Sequence, residues 1–272
     1  MPRFSANLTM LYNEHQFLDR FAAARADGFR AVEFMFPYPF PKEHIADALQ
    51  RNDLILVLHN LPAGNWDGGE RGVACLPGRE NEFQEGVGHA IDYATALRCP
   101  QVNCLVGLAA KDASGDQVRR TLVANLRFAA KELKSAGIRL LVEPVNSIDI
   151  PGFYLDQVEK AVSILDEVGS DNLYLQYDLY HQQRMGGELL ATYRRFKDRI
   201  AHIQVADNPG RNEPGTGEIN YSFLFEALDR ESYKGWIGCE YKPSAATSAG
   251  LGWASSHLRK EGKATREQGA GR

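Results

Sequence analysis

Four polar residues close, or nearly close, four successive apolar runs in the second half of the chain. Glu143 ends Leu140-Leu141-Val142-Glu143, and Asp178 ends Leu173-Tyr174-Leu175-Gln176-Tyr177-Asp178. Gln204 lies in Ile200-Ala201-His202-Ile203-Gln204-Val205, and Glu240 ends Trp236-Ile237-Gly238-Cys239-Glu240. A carboxylate at the end of a buried strand is costly unless something pairs with it. Three carboxylates and a carboxamide offer only oxygen, the donor set of a hard divalent cation. Mg2+ or Mn2+ suits that set better than Zn2+, which takes His and Cys. The competing account pairs each carboxylate with a lysine or arginine at the rim. It explains one such residue readily and four on successive runs poorly.

Further candidates gather by the same logic. His59-Asn60 closes an earlier run, and His181 follows Asp178 by three residues, on what reads as a loop. His202 lies two residues before Gln204, so it faces the same way but deeper. Each histidine also has a plain reading as a packed, hydrogen-bonded residue. Glu33 reads equally as a rim ion pair or as a site residue. Two long loops stand out, Gly64 to Glu80 and Asn208 to Asn220. Long ordered loops in compact domains are often lids or binding loops. Arg71 and Arg79 in the first loop are candidates to clamp a carboxylate, and solvated surface arginines are the alternative. Lys242, two past Glu240, shares its strand face and enters the pocket or pairs with a carboxylate. Glu218 in the second loop reads as a helix N-terminal residue rather than a catalyst.

These residues need a scaffold that brings four strand ends together. Short β-rich runs alternate with helical patterns along the whole chain. The earlier strands are Phe4 to Asn7, Ala31 to Phe34, Leu54 to Leu58 and Val102 to Val106. Helices are expected over Glu14 to Asp27, from near Pro41, over Glu80 to Leu97 and over Asp116 to Ser135. Three more lie near Leu155 to Val168, Glu188 to Phe196 and Tyr221 to Leu228. Gly28 and Gly137 are good stop signals after two of them. Strict alternation implies parallel strands joined by right-handed crossovers. Eight such units read most simply as a single (β/α)8 barrel over residues 1–253, an α/β fold that takes about 250 residues. An open doubly wound sheet is the runner-up, and its Gly-rich turn after the first strand is absent. Residues 254–272 are small, polar and charged, and read as a flexible tail. In such a barrel the active site lies at the C-terminal strand ends, and neighbouring strands lie about 4.8 Å apart. Four adjacent strand ends can therefore surround one ion.

A net charge of -4 gives no global field that favours nucleic acid or an anionic membrane. No apolar stretch is long enough for a signal peptide or a bilayer span. Cys75, Cys99, Cys104 and Cys239 form no CxxC pair, as expected of a reduced cytoplasmic protein. Oligomeric state stays open, a homo-oligomer included.

From Arg3 to about Trp253 the chain resembles the hydroxypyruvate isomerase family of the xylose-isomerase-like barrel superfamily. The resemblance rests on Phe4-Ser5-Ala6-Asn7-Leu8, Val32-Glu33-Phe34-Met35-Phe36-Pro37-Tyr38, Asn60-Leu61-Pro62-Ala63-Gly64 and Leu76-Pro77-Gly78-Arg79-Glu80. It continues in Asn212-Glu213-Pro214-Gly215-Thr216-Gly217-Glu218-Ile219-Asn220-Tyr221 and Gly238-Cys239-Glu240-Tyr241-Lys242-Pro243. It implies an isomerase of carbohydrate metabolism acting on a small keto or hydroxy acid, with Glu143 and Glu240 as the two catalytic glutamates. It also implies a metal held by Glu143, Asp178, Gln204 and Glu240. The wider superfamily commonly has His where this chain has Gln204, so the site keeps oxygen ligation and loses a softer donor. His59, His181, Arg71, Arg79 and Lys242 are the expected substrate-binding residues. A 2-oxo-tetronate isomerase shares most of these motifs. A ketose 3-epimerase and a non-catalytic sugar-acid-binding barrel are more distant alternatives. The superfamily's DNA-repair nucleases need more histidines and a basic surface than this chain has.

Overall fold

A computed structural model describes residues 2–110 and 112–258. The apolar runs form β1 (Arg3–Asn7), β2 (Ala31–Glu33), β3 (Ile55–Asn60), β4 (Gln101–Cys104), β5 (Arg139–Val142), β6 (Leu173–Asp178), β7 (Ile200–Val205) and β8 (Trp236–Cys239). All pair in parallel and close in sequence order, β8 returning to β1. Between them lie α1 (Arg20–Ala26), α2 (Lys42–Arg51), α3 (Glu80–Ala96), α4 (Gly115–Ser135), α5 (Val158–Val168), α6 (Leu179–Met185), α7 (Leu189–Phe196) and α8 (Tyr221–Arg230). The (β/α)8 barrel expected from the alternation is the observed fold.

Local chemistry sets the helix ends. Ser114 caps α4, with its hydroxyl accepting from the Gln117 N–H and the Gln117 side chain answering on the Ser114 N–H. Val118, Leu122, Leu126, Ala129 and Leu133 then bury one face at helical spacing. Gly169 stops α5 in the left-handed conformation, φ 68°.

Two helices differ from expectation. The helix expected over Glu14 to Asp27 begins late, as a 3-10 turn over Phe17–Asp19 followed by α1. The Glu14 carboxylate instead accepts from the Thr247 N–H, which ties that segment to the far end of the chain. Helix α6 replaces the loop expected after β6. Asp178 nucleates it, one carboxylate oxygen accepting from the N–H groups of Tyr180 and His181.

The main core lies between the barrel and its helices. A smaller cluster of Ala31, Val57, Leu58 and Leu141, closed by Trp236, is built from strand residues alone. Glu33 is buried next to β8, where Gly238 leaves the room it needs. A Cβ at Gly238 would lie 2.3 Å from the Glu33 carboxylate. The loop after β3 needs glycine for a similar reason. Gly72 lies so close to the Leu105 carbonyl that a Cβ would meet its oxygen at 1.9 Å.

After β8 the chain forms 3-10 turns over Thr247–Ala254. Trp253 stacks on Phe225, His257 meets the edge of Phe4, and Leu258 packs on the core. Packed side chains on the β1–α8 side thus extend to Leu258. The rest of the expected tail, residues 259–272, lies outside the described residues. No helix of the described residues is long and apolar enough to cross a membrane. All four cysteines are buried free thiols.

Candidate active site

The barrel holds two layers of buried carboxylates. In the lower layer Glu33 accepts from Ser5 Oγ at 2.8 Å, Asn7 Nδ2 at 3.2 Å and Gln204 Nε2 at 2.8 Å. His202 Nε2 lies 2.8 Å from the same carboxylate. Burial works to raise the Glu33 pKa, but His202 and these hydrogen bonds outweigh it and hold it below the usual range. Glu33 is thus a satisfied structural anion, and His202 faces inward below Gln204 as its spacing implied.

The upper layer is built by the strand register. Asp178 pairs with Gln204, and Gln204 pairs with Gly238, two residues below Glu240. Glu143 directly follows β5. Single ligand atoms of Glu143, Asp178 and His181 all lie within 4.8 Å of one another. Asp178 spends one oxygen on the α6 cap, and its Oδ2 is buried without a hydrogen-bond partner. Asn103 Nδ2 donates to Glu143 Oε2 at 3.0 Å. Burial first, then repulsion from Glu240 and Asp178, raises the Glu143 pKa well above the carboxylate range. Burial, reinforced by Asp178 and Glu33, pushes Glu240 up to about 8 against the pull of Arg211. Asp178 is raised too, by burial, again against Arg211. Three mutually repelling carboxylates with an orphaned oxygen between them fit a bound cation.

Gln204 sits between the layers. Its Nε2 donates to Glu33, which turns its Oε1 towards Gln176, whose Nε2 donates to it at 2.6 Å. That oxygen keeps one lone pair for a cation. His181 is brought into the cluster, its Nε2 lying 3.9 Å from Glu143 and 3.8 Å from Asp178. Burial, then Arg211 and Arg184, lowers its pKa well below the histidine range, so the ring is neutral.

Other expected residues divide. Arg71 and Lys242 line a polar mouth of about 580 Å³ above the cluster, together with Asp149, Tyr180, Arg184 and Arg211. The Arg71 guanidinium lies over the Trp66 ring, 4.2 Å from its centre, with one nitrogen donating to the Trp66 and Glu70 carbonyls. Arg79 does not reach the mouth. Glu70 and Glu82 bind its guanidinium from both sides, and it serves to staple the loop. His59 does not reach the mouth either. Its Nδ1 contacts the Asn60 carbonyl, its ring edge meets Tyr38, and burial lowers its pKa to about 4. Glu218 fastens the second loop, accepting from Asn208 and from Gln183.

Arg211 was not singled out by sequence reasoning. It sits in the left-handed region, φ 55°, with its guanidinium 3.5 Å from Glu240 and over the Tyr180 ring. Burial works to lower its pKa, but Glu240, Asp178 and Glu143 outweigh it, so the positive charge is fixed among the three carboxylates. Its one sequence signal is that it is the only cation in the loop directly after β7.

The model of the xylose isomerase-like TIM barrel family matches residues 21–260. The chain is 54% identical to the hydroxypyruvate isomerase of Escherichia coli K12 over 253 residues, covering 93% of this chain and 98% of that protein. It is 47% identical to the 2-oxo-tetronate isomerase of Cupriavidus necator, over 95% of this chain and 99% of that one. Among solved structures, a family 2 AP endonuclease from Brucella melitensis superposes with a TM-score of 0.93 at 40% identity, over 95% of this chain and all of that chain. A 3-keto-D-glucoside 4-epimerase from E. coli, at 18% identity and a TM-score of 0.78, shares the fold. Sequence, architecture and strand-end site agree: the chain belongs to the xylose isomerase-like TIM barrel family.

Proposed function

We propose that the chain is a hydroxypyruvate isomerase, interconverting hydroxypyruvate and 2-hydroxy-3-oxopropanoate by proton transfer through an enediolate. The observation that carries the substrate is the 54% identity, over nearly both full lengths, to a protein of that name. The geometry supports the reaction type. Isomerisation needs one group to take a proton from the hydroxymethyl carbon and another to return one to the neighbouring carbonyl carbon. Glu143 and Glu240 are two buried carboxyls on β5 and β8 ends whose pKa values are both raised by burial, which suits them to carry protons that ordinary carboxylates would have lost. Glu143 keeps its Oε2 on Asn103, and Glu240 faces Arg211, so each is held in orientation while it exchanges a proton.

Glu143, Asp178, Gln204 and Glu240 are the proposed ligands of a divalent cation, Mg2+ or Mn2+ by donor chemistry. When bound, that ion would supply positive charge to stabilise the negative charge that develops on the enediolate. Arg211 adds a fixed cation beside Glu240, and His181 a neutral ring nitrogen near Glu143 and Asp178. The substrate carboxylate meets Arg71 and Lys242, the cations of the mouth that no carboxylate of the described residues pairs with at salt-bridge distance. The enzyme is proposed to work in the cytoplasm, with its thiols reduced.

The second reading, a 2-oxo-tetronate isomerase, is favoured by the 47% identity to one. It uses the same proton shift on an acid one carbon longer. Purified protein assayed on both acids, with and without chelator, decides between them. A higher kcat/KM on hydroxypyruvate, lost on chelation and restored by Mn2+, is expected. A higher kcat/KM on 2-oxo-tetronate overturns the first reading in favour of the second.

A further inference from the structure

Asn146 lies three residues past Glu143, is fully buried, and contacts no carboxylate of the upper layer by hydrogen bond. Its orientation is fixed without ambiguity by its neighbours. The Asp149 N–H reaches its Oδ1 at 2.8 Å, and an N–H can be met only by oxygen. The amide NH2 therefore points the other way. It donates to Asp149 Oδ2 at 3.1 Å and faces His181 Nδ1 at 2.6 Å. The Asn146 backbone N–H is aimed at the same nitrogen, at 3.4 Å. Asp149 is itself held by the Tyr180 hydroxyl at 2.8 Å and by Arg184 at 3.6 Å.

Two donors converging on Nδ1 make it the acceptor, so the ring proton must sit on Nε2. That nitrogen faces Glu143 and Asp178 at 3.9 and 3.8 Å, too far to be satisfied by either. The proton therefore points into the space where a substrate oxygen or a metal would sit. An Nε2–H cannot ligate a cation, because the lone pair needed is on the other nitrogen. His181 lies in the cluster that could hold a metal, yet the hydrogen bonds behind it exclude it from the ligand set.

We infer that Asn146, oriented by Asp149, is a positioning residue that locks His181 in the Nε2–H form. The histidine then acts as a hydrogen-bond donor to the substrate oxygen that gains charge, and it leaves the cation to oxygen ligands alone. The donor role rests on the isomerase reading above, whereas the tautomer itself does not. A neutral donor aimed at a developing oxyanion in a dry site stabilises it without any reorganisation. The same lock removes the one nitrogen that would favour Zn2+ over Mg2+ or Mn2+.

The test is the ring-nitrogen NMR spectrum of the full, metal-free chain labelled with 15N-histidine, with His181 assigned by its loss in His181→Gln. The expected result is a protonated Nε2 and an unprotonated Nδ1. A protonated Nδ1 in the unsubstituted chain overturns the inference, whatever any variant does. Asn146→Asp replaces the donor with an acceptor, so the proton is expected to move to Nδ1 and free the Nε2 lone pair. Zn2+ binding by titration calorimetry should then tighten, and isomerase kcat should fall about ten- to a hundredfold with KM little changed, the usual scale for groups that orient a site from behind. An unchanged tautomer in folded Asn146→Asp also overturns it. Should the Nε2–H form be found in a chain inactive on both acids, the lock stands and the isomerase reading falls.

Discussion

Glu33 and Glu143 are both buried glutamates of one barrel, yet their surroundings give them opposite character. Glu33 receives four donors and is held below the usual carboxylate range. Glu143 has two carboxylates for neighbours and is held well above it. Burial is common to both, so it does not distinguish a structural carboxylate from a functional one. What differs is how far the surroundings already satisfy the charge. A satisfied layer can only stabilise the fold, whereas an unsatisfied one is poised to take a cation or a proton.

The sharpest way to break that comparison is to neutralise each member. Glu143→Gln and Glu240→Gln should each lower isomerase kcat by about 10²–10⁴-fold, the scale of a lost proton-transfer group. Neither should lower the denaturation midpoint of the metal-free chain, because each replaces a carboxyl whose ionisation is opposed by burial and by its neighbours. A loss of stability as large as the one expected at Glu33 would erase the distinction between the layers.

Glu33→Ala should do the reverse. It leaves His202, Gln204, Ser5 and Asn7 facing a void, and removing one partner from a buried ionic network costs about 3–5 kcal/mol. The measurement is chemical denaturation of the metal-free chain. An unchanged midpoint would mean that the lower layer does not hold the barrel together.

A smaller effect lies in the pH dependence of the chelated protein. Glu240 titrates at about 8 in the folded chain, against 4.5 for an ordinary glutamate. The folded state therefore binds more protons than the unfolded one between those values, and stability falls as pH rises through that window. Glu143 and Asp178, also raised, add to the same slope. Glu33 is lowered, so its contribution is present above the ordinary glutamate pKa and is lost as pH falls through its folded value. Denaturation of metal-free protein should show declining stability from pH 5 to 8, flattened in Glu240→Gln and flattened by saturating Mn2+. A rising slope over that window would contradict the unsatisfied upper layer.

The same contrast explains what could be read from the sequence. The barrel was legible because strands and helices alternate with distinct periods and glycine stops. Glu143, Asp178, Gln204 and Glu240 were legible because a polar residue ending an apolar run is anomalous by itself. That Glu33 is satisfied was not legible, since Ser5, Asn7, His202 and Gln204 reach it from β1 and β7, far away in sequence. Nor was α6, a seven-residue helix that depends on the Asp178 cap. Arginines were the least legible. Arg79 and Arg211 look alike in sequence, each in a Gly-rich loop, and only the loop path separates them. Asp207 sets that path for Arg211 by accepting from the N–H groups of Gly215 and Ile219 while its own carbonyl takes the Arg211 N–H.

The three cations expected from the sequence to bind the acid, Arg71, Arg79 and Lys242, allow the finest version of the test. Arg79 is one-third exposed and already shared between Glu70 and Glu82, so its charge is spent on the loop. An exposed pair of this kind is worth about 0–1 kcal/mol, and Arg79→Ala should leave KM for the keto acid within about twofold of its starting value. Lys242 lines the mouth, and under the proposed function its loss removes a charged hydrogen bond to the substrate carboxylate, worth about 1.5–3 kcal/mol. Lys242→Ala should therefore raise KM about ten- to a hundredfold at little cost in kcat, as expected for a contact made equally in ground and transition states. Arg71→Ala should follow Lys242 rather than Arg79, although the stacking on Trp66 makes part of its effect a matter of loop order. Steady-state kinetics of the three variants side by side rank the cations. A KM effect in Arg79→Ala matching that of Lys242→Ala would mean that the loop, and not the charge it presents, binds the acid.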